Sequence, residues 1–116
     1  MSEQQIAASV DDLISLALAG KWETAFDKYY HADLEKTDLD GIVVKGFNAN
    51  YENGRIFSSK ISNVRDFSSV GKIVKGNRSF IIWSFDFDVD GNPLKLIELA
   101  IQDWQDGKII KERFYS

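Results

Sequence analysis

The chain contains no cysteine, so disulfides, thiol nucleophiles and thiolate metal sites are excluded, and nothing in it calls for an oxidising compartment. Proline occurs once, at Pro93, so no Pro-rich linker divides the chain. Histidine also occurs once, at His31, where a plain structural or surface role is expected. No stretch approaches the ~20 apolar residues of a membrane span. The opening MSEQQIAASVDDL lacks the positive region and uninterrupted apolar run of a signal peptide, so the expected location is the cytoplasm, with no membrane partner. A surplus of positive charge is absent as well. The net charge is −4 and the basic residues are scattered, leaving no cationic surplus to neutralise phosphates, so nucleic acid is not an expected partner.

The 116 residues are 44% hydrophobic, 13% aromatic and 28% charged, which fits one globular domain spanning residues 1–116. There is no internal repeat and no domain boundary. Ser2 followed by Gln5 reads as a capping box, and Ile6, Val10, Leu13 and Ala17 recur at helical spacing until Gly20 stops the helix. Trp22, Phe26 and Tyr29 predict a second helix ending near His31. Asp38, Asp40 and Gly41 then mark a turn between two short strands. The stretch from Gly46 to Phe57 reads either as a short helix carrying Phe47, Tyr51 and Ile56 or as a long loop, because its asparagines and glycine are poor helix formers. Beyond Phe57 the pattern is strand-like, with interruptions at Gly71, Gly76, Gly91 and Asp106-Gly107.

Alternation through Ile81, Trp83, Phe85, Phe87 and Val89 predicts a strand with its odd positions buried. A four-residue loop from Asp90 to Pro93 would pair Val89 with Leu94. Phe85 then faces Glu98, Trp83 faces Ala100, and Glu98, Ala100, Gln102 and Trp104 share the inner face. At Asp106-Gly107 two registers are open. A bulged three-residue turn pairs Trp104 with Lys108 and Ala100 with Glu112, making the two glutamates diagonal neighbours. A two-residue turn would instead gather Ile97, Leu99, Ile101, Ile110 and Phe114 on the buried face and send Glu98 outward. The bulged turn agrees with the preceding loop and is the reading adopted. It leaves Ile97, Leu99, Ile101 and Ile109 on the outer face beside Arg113 and Tyr115, a mixed patch suited to a homodimer through the sheet unless a helix covers it.

Two helices, a short strand pair, a third helix and a meander closing on DGKIIKERFY resemble the SnoaL-like branch of the nuclear transport factor 2-like superfamily, over almost the whole chain. The resemblance implies an α+β cone, a curved and mostly antiparallel sheet wrapped around a long helix, whose open end is commonly a small-molecule pocket. Relatives carry an acidic residue in an alternating strand, then DGKI, then Glu and aromatics. Here these are Glu98, Asp106 to Ile109, Glu112, Phe114 and Tyr115. The similar Tyr29-Tyr30 pair leading through Asp33 places Asp38 where relatives present a third acidic side chain. Ketosteroid isomerases of this fold use a helix Tyr and a protonated Asp at positions best matched by Leu13 and Ala100, so that mechanism is not implied. Dehydratases that need a cavity His-Asp pair are disfavoured by His31 at a helix end.

Two glutamates in an apolar cavity raise one another's pKa, so an acid and a base coexist near neutrality. Such a pair suits general acid-base work on an enolisable or dehydratable substrate. The expected site is therefore Glu98 and Glu112 with Asp38 as auxiliary acid, and Trp83, Phe85, Gln102, Trp104 and Phe114 as ligand-binding residues for a small, partly apolar molecule. The structural alternative has Glu98 bonded to Trp104, Gln102 or a tyrosine, and Glu112 paired with Lys108 or water. Carboxylates without imidazole would suit only a hard cation, and their spacing demands none, so no metal or cofactor is expected. The competing class is a non-enzymatic association domain acting through the outer sheet face.

Overall fold

Helix α1 (Glu3–Leu18) begins where the capping signal predicts. In the computed structural model, which describes residues 1–116, Gln5 N donates to Ser2 Oγ and Ser2 N donates to Gln5 Oε1. The helix ends in a Schellman turn, with Gly20 at φ 77° and Lys21 N donating to Leu16 O. Its buried stripe is Ile6, Val10, Leu13 and Ile14. Helix α2 (Trp22–Tyr29) follows, and the chain turns to strand at Tyr30, slightly before the predicted end at His31.

Strands β1 (Tyr30–Thr37) and β2 (Val43–Lys45) are the predicted short pair, antiparallel about the Asp38–Gly41 turn. The ambiguous stretch after them is helix α3 (Phe47–Ser59). Tertiary contacts outweigh its weak propensity. Phe47 and Tyr51 join Trp22 and Phe26 in an aromatic cluster, and the buried Asn50 donates from Nδ2 to Val44 O at 3.0 Å and Gly46 O at 2.8 Å.

Strands β3 (Ile61–Lys75), β4 (Arg78–Val89), β5 (Asn92–Gln105) and β6 (Lys108–Tyr115) form the meander. The expected interruption at Gly71 is a bulge inside β3, not a break. The sheet order is β2-β1-β6-β5-β4-β3, with only β1 and β6 parallel. It is an unclosed, curved α+β sheet, as the sequence resemblance implied. Helix α1 lies in its hollow, where Ile6, Val10, Leu13 and Ile14 share one core with Ile81, Trp83, Ala100, Trp104 and Ile109. Each fully buried Ile there contributes ~1.5–3 kcal/mol relative to exposure. No helix is long and apolar enough to cross a membrane.

Both hairpin turns differ from the expected forms. The β4–β5 connection is a two-residue Asp90-Gly91 turn with both residues at positive φ, so Val89 pairs with Asn92 and Trp83, not Phe85, stands opposite Glu98. The correction is a shift of two along the ladder, which preserves every facing. The β5–β6 connection is also a two-residue turn, with Asp106 at φ 54° and Gly107 at φ 79°, pairing Trp104 with Ile109 rather than Lys108. A bulge at Ile110 then resets the alternation, so that Gln102, not Ala100, stands opposite Glu112. Glu112 therefore points inward through a different device from the one predicted, and it is not a diagonal neighbour of Glu98. Ile109 is fully buried opposite Trp104 and leaves the outer-face set.

Candidate functional site

Two chambers open between the concave sheet and the helices. The inner one, about 200 Å³, is bordered by Leu13, Trp22, Phe26, Tyr30, Phe67, Trp83 and Glu112, and the outer one, about 450 Å³, by Asp38, Asp40, Phe57, Phe87, Leu94 and Leu96. Lys36, Asn50, Gly54, Phe85, Glu98 and Phe114 border both, so Glu98 stands at the junction. Stacking of Phe67 on Trp83 and Phe85, at 5.4 Å in each case, makes one wall aromatic. A wider open groove of about 740 Å³ lies at the start of α3, beside His31, Lys45 and Lys108, and no carboxylate borders it.

The two glutamates have opposite surroundings. Glu112 is buried and fully engaged: Tyr30 Oη donates to its Oε1 at 2.7 Å, and Gln102 Nε2 donates to its Oε2 at 2.8 Å. Behind it, Ser79 Oγ donates to Gln102 Oε1 at 2.7 Å and Trp104 Nε1 donates to Ser79 Oγ at 2.8 Å. Burial pushes the Glu112 carboxyl above its ordinary value, against the pull of Lys36 and of its two donors. Glu98 accepts no such bond. Burial first, and then the Glu112 charge, raise it to about 7, while Lys36 draws it down. A half-buried carboxyl that titrates near neutrality and faces an open space can give or take a proton there.

Strand β1 brings the site's cation. Lys36 pairs with Glu112 across the parallel β1–β6 ladder, and its Nζ lies 4.9 Å from the centre of the Phe114 ring. Asp38, two residues on, reaches the outer chamber. The structure thus gathers Glu98, Glu112, Asp38, Trp83, Phe85 and Phe114 around the two adjoining chambers. Gln102 and Trp104, expected to touch a ligand, stand behind the wall instead. Gln102 is fully buried in the hydrogen-bond chain, and Trp104 packs edge-on against Tyr29 at 6.1 Å. Gln102 bonds to Glu112 and Trp104 to Ser79, neither to Glu98, and Lys108 caps the end of α2 through Asp27 O and Lys28 O rather than meeting Glu112. No group of three or more histidine and carboxylate side chains converges to hold a metal.

Lys36, Asn50, Tyr30 and Ser79 are site residues that sequence reasoning missed. Leu34 is the one fully buried residue of β1, and stepping by two from it reaches Lys36 and Asp38. That spacing was the available signal. Asn50 and Ser79 carried none, since each is a polar residue whose burial depends on a partner distant in sequence or on a helix cap.

Comparison with solved structures agrees with this architecture. A proposed SnoaL-like polyketide cyclase of Mesorhizobium loti is 25% identical over the full length of both chains, with a TM-score of 0.87. A proposed SnoaL-like polyketide cyclase of Jannaschia sp. CCS1, at 10% identity, covers 97% of this chain and 85% of that one with a TM-score of 0.81. An NTF2-like protein of unknown function from Burkholderia pseudomallei, at 15% identity, covers 99% and 91% with a TM-score of 0.79. No curated protein matches the chain in sequence. The SnoaL-like domain model matches residues 1–116 from end to end, and the chain belongs to the SnoaL-like domain family.

Proposed function

We propose that this chain is a cytoplasmic domain that binds a small, partly apolar organic molecule in the joined chambers, and that Glu98 exchanges a proton with it. The observation that carries the reading is the unpartnered Glu98 carboxyl at the chamber junction, raised to about 7. Aromatic rings hold the apolar body of the ligand, while Lys36 and Asp38 orient its polar end. Proton removal beside a carbonyl, as in isomerisation, cyclisation or dehydration, is the chemistry such a base suits. The names of the solved relatives support the same reaction class.

The test uses 2-tetralone, a compact enolisable ketone, in D2O. Wild-type protein should speed deuterium exchange at its α-carbons over buffer and shift the resonances of Phe85 and Phe114. Glu98→Gln should keep the shifts and lose the acceleration. No shift and no acceleration across a panel of such ketones would sink the reading.

A second reading is association. Ile73, Ile82 and Ile97 are exposed on the convex face, where Ile73 pairs with Phe80 and Ile82 with Leu99. That apolar band supports a homodimer through the sheet.

A further inference from the structure

The direction of the buried hydrogen-bond chain decides where Glu112 can hold a proton. An indole nitrogen only donates, so Ser79 Oγ accepts from Trp104 and has its own hydrogen left for Gln102 Oε1. That contact orients the Gln102 amide, whose Nε2 then faces Glu112 Oε2. Oε2 must accept. Any proton on Glu112 sits on Oε1, against Tyr30 Oη at 2.7 Å.

Two arrangements follow across that one contact. With Glu112 ionised, Tyr30 O–H donates to it. With Glu112 protonated, Oε1–H donates to Tyr30 Oη, and the tyrosine hydrogen is turned away from Glu112. Tyr30 and Glu112 both border the inner chamber, as does Glu98. The Tyr30 ring is stacked on Phe26 at 4.4 Å, so reversal of the bond moves hydrogens and not the ring.

We propose that Tyr30 is the proton donor of the inner chamber and that Glu112 supplies the proton it gives. The proposal rests on Glu98 acting as the base, and the reacting form is the one in which the two glutamates hold a single proton between them, on Glu112. Ionised Glu98 takes a C–H proton beside the ligand carbonyl, and the C–H electron pair becomes the enol C=C bond. The carbonyl π pair takes the Tyr30 hydroxyl proton, and Tyr30 Oη takes the proton from Glu112 Oε1. The products are neutral Glu98, neutral Tyr30, ionised Glu112 and the enol. Return of the Glu98 proton to carbon runs the relay backward and restores Glu112. Tyr30 never carries charge, as its burial beside a carboxylate requires.

The experiment follows the Tyr30 ¹³Cζ and Glu112 ¹³Cδ resonances with pH in the ligand-free protein. Both should report one transition with a single midpoint. Glu112→Gln places an amide N–H₂ where Oε1 stood, because Gln102 Nε2 already requires an oxygen on the other side. It should therefore hold Tyr30 ¹³Cζ at its low-pH position at every pH. Tyr30→Phe should cut 2-tetralone exchange at least tenfold while Glu98 still titrates. A Tyr30 resonance that ignores the Glu112 transition, no shared transition in the folded range, or full exchange in Tyr30→Phe overturns the relay. Loss of exchange in wild type with the pair still titrating together overturns the role of Glu98 instead.

Discussion

Glu98 and Glu112 share the inner face of the sheet, yet Glu112 sits opposite Gln102 with two donors on its oxygens, while Glu98, opposite Trp83, accepts no hydrogen bond and borders both chambers. The separation divides two tasks between like side chains. One carboxyl is held in a buried hydrogen-bond chain, and the other is left free at the open space.

That freedom costs stability in a known pH window. Glu98 is raised from 4.5 to about 7, so the unfolded chain releases this proton first. Its favourable contribution is complete below pH ~4.5 and is lost as pH rises towards 7. Glu98→Gln should therefore stabilise the protein at pH 8 by about 1–2 kcal/mol, allowing for solvent screening at a partly exposed carboxyl. The gain should vanish at pH 4. Urea unfolding at both pH values measures it, and an equal effect at the two would show that Glu98 titrates normally.

Lys36 should hold both glutamates down, since its ammonium lowers each. Lys36→Met keeps the stem against Phe114 and removes the charge. Carboxyl-detected NMR titration of the variant should find Glu98 titrating higher than in wild type, with Glu112 moving the same way. Unchanged midpoints would mean that the Lys36 head points to solvent.

The parts of the fold legible in sequence were those written in apolar spacing. The α1 capping box and the alternation from Ile81 to Phe87 appear as read, and the α1 stripe does so through Leu13, with Ile14 buried and Ala17 only partly so. Glu98 faced correctly because a two-residue shift at Asp90-Gly91 preserves the pleat. Glu112 depended on a bulge at Ile110, and a bulge has no composition of its own; the expected turn and the observed bulge each insert one residue, so they reach the same facing. Lys36 stood at the right spacing from Leu34 and was passed over for a different reason. An inward lysine interrupts the very alternation by which a strand face is recognised.

Ser79 tests whether the chain behind Glu112 acts as one unit. Ser79→Ala leaves Trp104 Nε1 and Gln102 Oε1 without partners in a buried space, at a cost of ~2–3 kcal/mol. Ser84→Ala, on the same strand but bonded to Asp66 near solvent, should cost less than ~0.5 kcal/mol. Parallel denaturant melts compare them. Equal losses would show that the buried chain carries no special weight.

The convex face makes an independent prediction. Its rows Ile73–Phe80–Ile101 and Ile82–Leu99–Tyr115, with Ile97 beyond, form an apolar band. Ion pairs flank it, with Asp103 between Arg78 and Arg113 at one end and Arg65 across Asp86 and Asp88 at the other. A stable dimer needs ~800 Å² from each partner, and a molecule with principal extents of 41 × 28 Å can supply it. Wild type should therefore sediment as a dimer, and Ile97→Lys or Leu99→Lys as a monomer. The Glu98 titration should survive both substitutions, because neighbouring strand positions point to opposite faces. A monomeric wild type at high concentration would leave the band without this role, and a Glu98 midpoint that moved with the monomer would tie the pocket to the interface.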